Sequence, residues 1–199
     1  MKVGLFFGSF NPLHIGHMAI AQYIVEFTDL EQVWFVVSPK NPFKEKCSLL
    51  DQHHRLMMVR IATEDHPQFQ ASNIEFNLPQ PSYTVDTLTY LKEQYPVHNF
   101  ALIMGGDNLN SFHKWKNYEH ILEEHELYVY PRSEIKDCAL VSNPKVHLTQ
   151  APLMDISASF IRKSIADKKD ISYFLLPKVW QYIDCLLYTS DAADDPWSG

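Results

Sequence analysis

Apolar positions recur along this 199-residue chain in two rhythms. Near-continuous apolar runs at 2–7, 32–38 and 99–104 read as buried strands, while 14–27, 51–64 and a segment opening at Thr84 carry apolar residues at helical spacing. In the second helical segment Leu56 and Val59, with Met57 and Ile61, recur three and four apart. In the third, Val85, Leu88 and Leu91 share a face and Thr84 is the expected N-cap. Further strands are predicted at 69–74, 126–130 and 145–148, with a helix at 118–124 and another beginning at Ser157. Pro79 and Pro81 mark the loop after the 69–74 segment. Strand and helix alternate throughout, which predicts the α/β class: an open parallel sheet with helices on both faces and a small C-terminal helical portion.

No repeat or long linker interrupts the pattern, so residues 1–184 are expected to form a single domain. After Asp184 the amphipathic spacing is expected to stop. The stretch opening Cys185-Leu186-Leu187-Tyr188-Thr189-Ser190-Asp191 looks like a translated sequencing adaptor, and 185–199 is set apart as a non-native tail.

Composition narrows the function classes. With 46% hydrophobic and 21% charged residues the chain can bury a sizeable core, which excludes intrinsic disorder. A formal charge of −7 is the wrong sign for a bulk nucleic-acid binder. The apolar runs are too short to span a bilayer, and Met1-Lys2 leads into a strand without a signal-peptide pattern, so a cytoplasmic protein with no membrane partner is expected. Cys47, Cys138 and Cys185 form neither a paired framework nor a thiolate zinc motif.

In open parallel sheets ligands sit at the carboxyl ends of the strands. There, directly after the first strand, stands Gly8-Ser9-Phe10-Asn11-Pro12-Leu13-His14-Ile15-Gly16-His17. Gly8 permits close approach of backbone to a phosphate, and the following helix offers N–H groups and the positive end of its dipole to an anion. His14 and His17, three apart, share one face near that helix start and can address one phosphoryl group. Neither the G-x-G-x-x-G turn of dinucleotide binders nor a P-loop is present. Two histidines at this spacing could ligate a metal, but no third ligand of the H-E-x-x-H type is nearby.

The ten-residue string resembles the (T/S)-F-x-P-x-H-x-G-H signature of the nucleotidyltransferase family, and Ile156-Ser157-Ala158-Ser159-Phe160-Ile161-Arg162 resembles its second signature, with Ala158 for Ser and Ser159 for Thr. Ser82-Tyr83-Thr84-Val85-Asp86-Thr87-Leu88, Met104-Gly105-Gly106-Asp107, Phe112-His113-Lys114-Trp115 and Pro39-Lys40-Asn41-Pro42-Phe43-Lys44 are similar to segments of the bacterial nicotinate-nucleotide adenylyltransferases within that family. Phe43 departs from them, standing where many relatives have His.

The resemblance implies a Rossmann-like fold, ATP and nicotinate mononucleotide as substrates, and Mg²⁺ carried with ATP. It makes His14, His17 and Arg162 the catalytic candidates. Gly8, Ser9, Phe10, Gly105, Asp107, Ile156, Ser157 and Ser159 join them as expected ATP contacts, and Ser9, Lys44, Thr84 and Trp115 are the expected acceptor contacts. Asp107 suits ribose hydroxyls, Trp115 the nicotinate ring and Thr84 its carboxylate. No metal site on the protein is expected. The competing readings are the same chemistry on nicotinamide mononucleotide or phosphopantetheine, and a module that holds ATP without transferring it.

Overall fold

In the computed structural model, which describes residues 1–39, 49–132, 135 and 139–190, the short apolar runs pair into one sheet. Its strands are β1 (Lys2–Gly8), β2 (Gln32–Val37), β3 (Phe69–Ser72), β4 (Asn99–Gly105), β5 (Leu127–Tyr130) and β6 (Val146–Leu148). They lie in the order β3-β2-β1-β4-β5-β6, and every neighbouring pair is parallel. The strand order reverses between β1 and β4, and a crevice opens at the carboxyl ends of strands at such a switch point. This is the Rossmann-like α/β arrangement.

Side chains along a strand alternate between faces, so the apolar runs feed two core layers. On one face Phe6, Phe35, Val37 and Ile103 pack with residues of α1 (Ile15–Phe27), α2 (Gln52–Thr63), α6 (Ala158–Ala166) and α7 (Pro177–Ser190). On the other, Leu5, Val36, Leu102 and Val129 pack with α3 (Thr84–Gln94), α4 (Gly106–Ser111) and α5 (Tyr118–Glu124). Among the described residues no helix is long and apolar enough to cross a membrane.

The structure departs from the sequence expectations in four places. The third strand ends at Ser72, and Ile74–Asn77 closes into a 3-10 turn that buries Glu75. Thr84 is the first helical residue of α3 rather than its cap: Tyr83 takes the N-cap position through its carbonyl, which accepts from the amides of Asp86 and Thr87. The short α4, directly after β4, had no apolar rhythm long enough to announce it. Finally, α7 continues past Asp184 to Ser190, because Leu186 and Leu187 fall on the same face as Val179 and Ile183 and pack on the same core. Residues 191–199 lie outside the described residues.

Candidate active site

The segment after β1 is held by its carbonyls. Gly8 O accepts from the amide of Ser38 at 2.9 Å. Ser9 O accepts from Arg55 Nη1 at 2.7 Å, and Asn11 O from Arg162 Nη1 at 2.8 Å. With these three oxygens turned to protein donors, fewer acceptors face an approaching anion. Phe10 makes the bend by adopting φ of 45°, a left-handed conformation that costs a bulky residue energy. Packing offsets the strain: its buried ring meets Phe6, Phe35 and the edge of His17, with centroids 5.2 Å apart in the last pair. The Phe10 ring also fills the space where a Cβ on Gly8 would lie, 2.8 Å away. Phe10 is thus built into the core.

The chain then enters α1 with His14 as N-cap and His17 in its first turn. The two imidazoles lie face to face, centroids 3.7 Å apart and tilted by 30°. The His14 amide donates to His17 Nδ1 at 3.3 Å, so in the neutral ring the proton resides on Nε2. A Cβ on Gly16 would crowd the stack, standing 3.1 Å from His14 Nδ1.

His14 is 5% exposed, and its Nδ1 is buried without a hydrogen-bond partner among the described residues. Burial, helped by the nearby charge of Arg132, pushes its pKa down from 6.5 to about 4. His14 is therefore a neutral imidazole near pH 7. The unfolded chain takes up this proton near 6.5 and the folded chain only near 4, so the stability is fully present above 6.5 and declines on acidification through that window. Wild type should lose about 2–3 kcal/mol more than His14→Asn between pH 7 and 4.5 in urea unfolding. Equal losses would contradict a buried neutral His14.

The second signature is brought to this loop by α6. Ser157 caps the helix, its Oγ accepting from the Phe160 amide at 3.1 Å, and Ile156 packs partly buried against the core. Arg162 spans to Asn11 and also donates through Nη2 to Ser159 Oγ at 3.2 Å. Burial lowers the Arg162 pKa without threatening its charge.

At the end of β4, a Cβ on Gly105 would displace the Asp107 carboxylate from its present position and crowd Arg132 and Tyr130. Asp107 pairs with Arg132 at 3.7 Å. Arg132, just beyond β5, went unnoticed in the sequence; the only signal was its position after a strand's carboxyl end.

Two of the acceptor candidates, Thr84 and Trp115, sit on the other layer. Thr84 opens α3, and Trp115 packs half-buried on Phe112 with centroids 5.3 Å apart. Lys116 ties the two segments together, pairing with Asp86 at 3.0 Å and lying 4.6 Å from the Tyr83 ring centroid. Lys44 lies outside the described residues. The sequence reading also missed Arg55 and Glu75, which are buried beneath these loops.

The pattern of the cytidylyltransferase-like family matches residues 5–164, a span that contains both signatures. A Flavobacterium johnsoniae protein named "Probable nicotinate-nucleotide adenylyltransferase" is 56% identical over 186 residues, covering 92% of this chain and 96% of its own. A Cytophaga hutchinsonii protein of the same name is 50% identical over 191 residues, covering 96% and 100%. In fold, the chain is similar to the solved Plasmodium falciparum nicotinic acid mononucleotide adenylyltransferase complexed with NaAD. The TM-score is 0.76 at 22% identity, with 94% and 97% of the two chains covered.

Proposed function

This chain belongs to the cytidylyltransferase-like family and, within it, to the nicotinate-nucleotide adenylyltransferases, and from that membership we infer that it joins ATP to nicotinate mononucleotide. The products are nicotinate adenine dinucleotide and pyrophosphate, a step of NAD biosynthesis. An oxygen of the acceptor's 5′-phosphate attacks the α-phosphorus of ATP, and the bond from that phosphorus to the β-phosphate bridging oxygen breaks. No covalent enzyme intermediate is needed, so the protein's work is alignment and charge stabilisation.

The observation that carries the assignment of roles is the Arg162 bond to Asn11 O, which joins residues 151 apart into one site. His17, with its proton on Nε2, and neutral His14 are the donors for the α- and β-phosphates. Arg162 faces the β- and γ-phosphates, with Ser157 and Ser159 beside it. The Gly8 and Ser9 backbone lies along the phosphates, with Phe10 acting from beneath as their support. Asp107 near Gly105 suits the ribose of ATP. On the acceptor side, Trp115 offers its face to the pyridine ring, Thr84 with neighbouring N–H groups receives the carboxylate, and Lys44 and Ser9 serve the phosphate. Imidazole and guanidinium donors suit phosphate oxygens rather than a hard cation, which fits a Mg²⁺ held by the triphosphate and water. Bound there, the ion offsets phosphate charge.

Pyrophosphate release tests this reading, with ATP and Mg²⁺ and either nicotinate or nicotinamide mononucleotide at matched concentration. Release with strong preference for the nicotinate acceptor is expected. Equal rates would remove the acid-specific pocket, and no release with either would overturn the reading.

A further inference from the structure

Beneath the two halves of the site lies a carboxylate that the reaction itself does not use. Glu75, in the 3-10 turn after β3, is 3% exposed. Its Oε1 accepts from Thr87 Oγ1 at 2.9 Å, and the Ser38 and Ser82 side chains also hydrogen-bond to the carboxylate. Burying a carboxylate is costly, and hydroxyl donors compensate it only in part. Burial accordingly raises its pKa, against the opposing effect of the three hydroxyls.

These three donors come from separate segments: Ser38 follows β2, Ser82 lies in the loop before α3, and Thr87 is in the first turn of α3. Glu75 reinforces the hold through its backbone, its carbonyl accepting from Gln80 Nε2 at 2.9 Å. The loop that delivers Tyr83 and Thr84 is thus fastened on both sides, before the helix and one turn into it. Ser38 extends the connection, since its carbonyl accepts from Arg55 Nη1, the same nitrogen that holds Ser9 O.

We propose that Glu75 is a positioning residue for acceptor binding: its buried carboxylate gathers Ser38, Ser82 and Thr87 and thereby sets where Thr84 meets the substrate. The inference rests on the acceptor pocket assigned above. A carboxylate oxygen that accepts from a hydroxyl turns that proton inward and fixes the rotamer, and Thr87 Oγ1, which also lies 3.3 Å from Tyr83 O, is drawn closer to Glu75, at 2.9 Å. An apolar side chain of similar length would leave those hydroxyls to find other partners and let the loop drift. A glutamine keeps a side-chain oxygen and can pair its amide with a hydroxyl oxygen, so it should restore much of the placement.

The test compares Glu75→Met, Glu75→Gln and wild type in steady-state kinetics and in amide hydrogen exchange of the substrate-free protein. Glu75→Met should raise KM for nicotinate mononucleotide by about tenfold or more, with KM for ATP and kcat unchanged, and Glu75→Gln should recover most of the loss. Exchange should quicken by about tenfold at the amides of 83–87 and stay unchanged in α1 and α2. Parallel rises in both KM values, a lowered kcat at unchanged acceptor KM, or equal behaviour of Met and Gln would overturn the proposal, as would exchange that quickens uniformly or not at all. If Glu75→Met does not fold, Thr87→Val takes its place, with a smaller rise confined to the acceptor KM expected and a rise in the ATP KM contradicting it. A wild-type protein that fails to use nicotinate mononucleotide would sink the acceptor assignment, whereas the exchange measurement still judges Glu75's hold on the loop.

Discussion

His17→Ala is expected to slow turnover by ~10²–10³ while leaving the fold intact, the effect of removing one pre-positioned donor from a developing charge. The fold should survive because His17 is only partly buried in the first turn of α1, whereas the core beneath it is made by Phe6, Phe10 and Phe35. Two further variants separate its roles. The ring accepts from the His14 amide through Nδ1, and an asparagine oxygen can reproduce that acceptor but cannot reach the position of Nε2. A glutamine amide can. His17→Asn should therefore keep wild-type thermal stability and lose activity with the alanine variant, while His17→Gln should retain more turnover than either. Measurement of kcat for the three, alongside thermal melting, decides the matter. An alanine variant within a few-fold of wild type would remove His17 from the phosphate-binding role.

The second large effect is on stability. Arg55 is 0% exposed, and its guanidinium donates to four carbonyls: Nε to Leu50 O at 2.8 Å, Nη1 to Ser9 O and Ser38 O, and Nη2 to Pro39 O at 2.9 Å. Burial lowers its pKa to about 10, with the charge of Asp51 opposing, so it stays protonated at neutral pH. Arg55→Met would leave these buried carbonyls short of donors, at about 1–3 kcal/mol for each that water cannot reach, and a total of about 3–5 kcal/mol is expected. Arg55→Lys should also fail, since one ammonium cannot reproduce a planar fork that spans three chain segments. Urea unfolding provides the measurement. A loss under about 1 kcal/mol for Arg55→Met would mean that the carbonyls find other donors. Because Ser9 and Ser38 flank the phosphate and acceptor sides, a folded Arg55→Lys protein should also show a raised KM for both substrates.

Most of the secondary structure could be read from local signals. Strands β1, β2 and β4 are apolar runs, and α1, α2 and α3 carry apolar stripes, because a strand or helix buried in a layered fold must repeat at its own period. The two signatures were equally legible, since each packs its chemistry into fewer than a dozen consecutive residues. Where two local choices compete, the reading went astray: Thr84 has the hydroxyl of an N-cap, yet the carbonyl of Tyr83 took the position. The end of the 69–74 strand was misplaced for a related reason, because the turn that buries Glu75 is stabilised by hydroxyls arriving from Ser38 and α3.

What the sequence determined by itself is therefore the alternation of elements, the parallel sheet and the paired histidines at the start of α1. What only the tertiary structure decided is how the site is held. Arg162 reaches Asn11 across 151 residues, Arg55 reaches Ser9 across 46, and Arg132 comes to Asp107 from just beyond the neighbouring strand. Periodicity and short motifs report interactions whose partners are a few residues apart. A guanidinium or carboxylate buried among loops acquires its meaning from groups brought near by the sheet, and its immediate neighbours in the chain carry no mark of them.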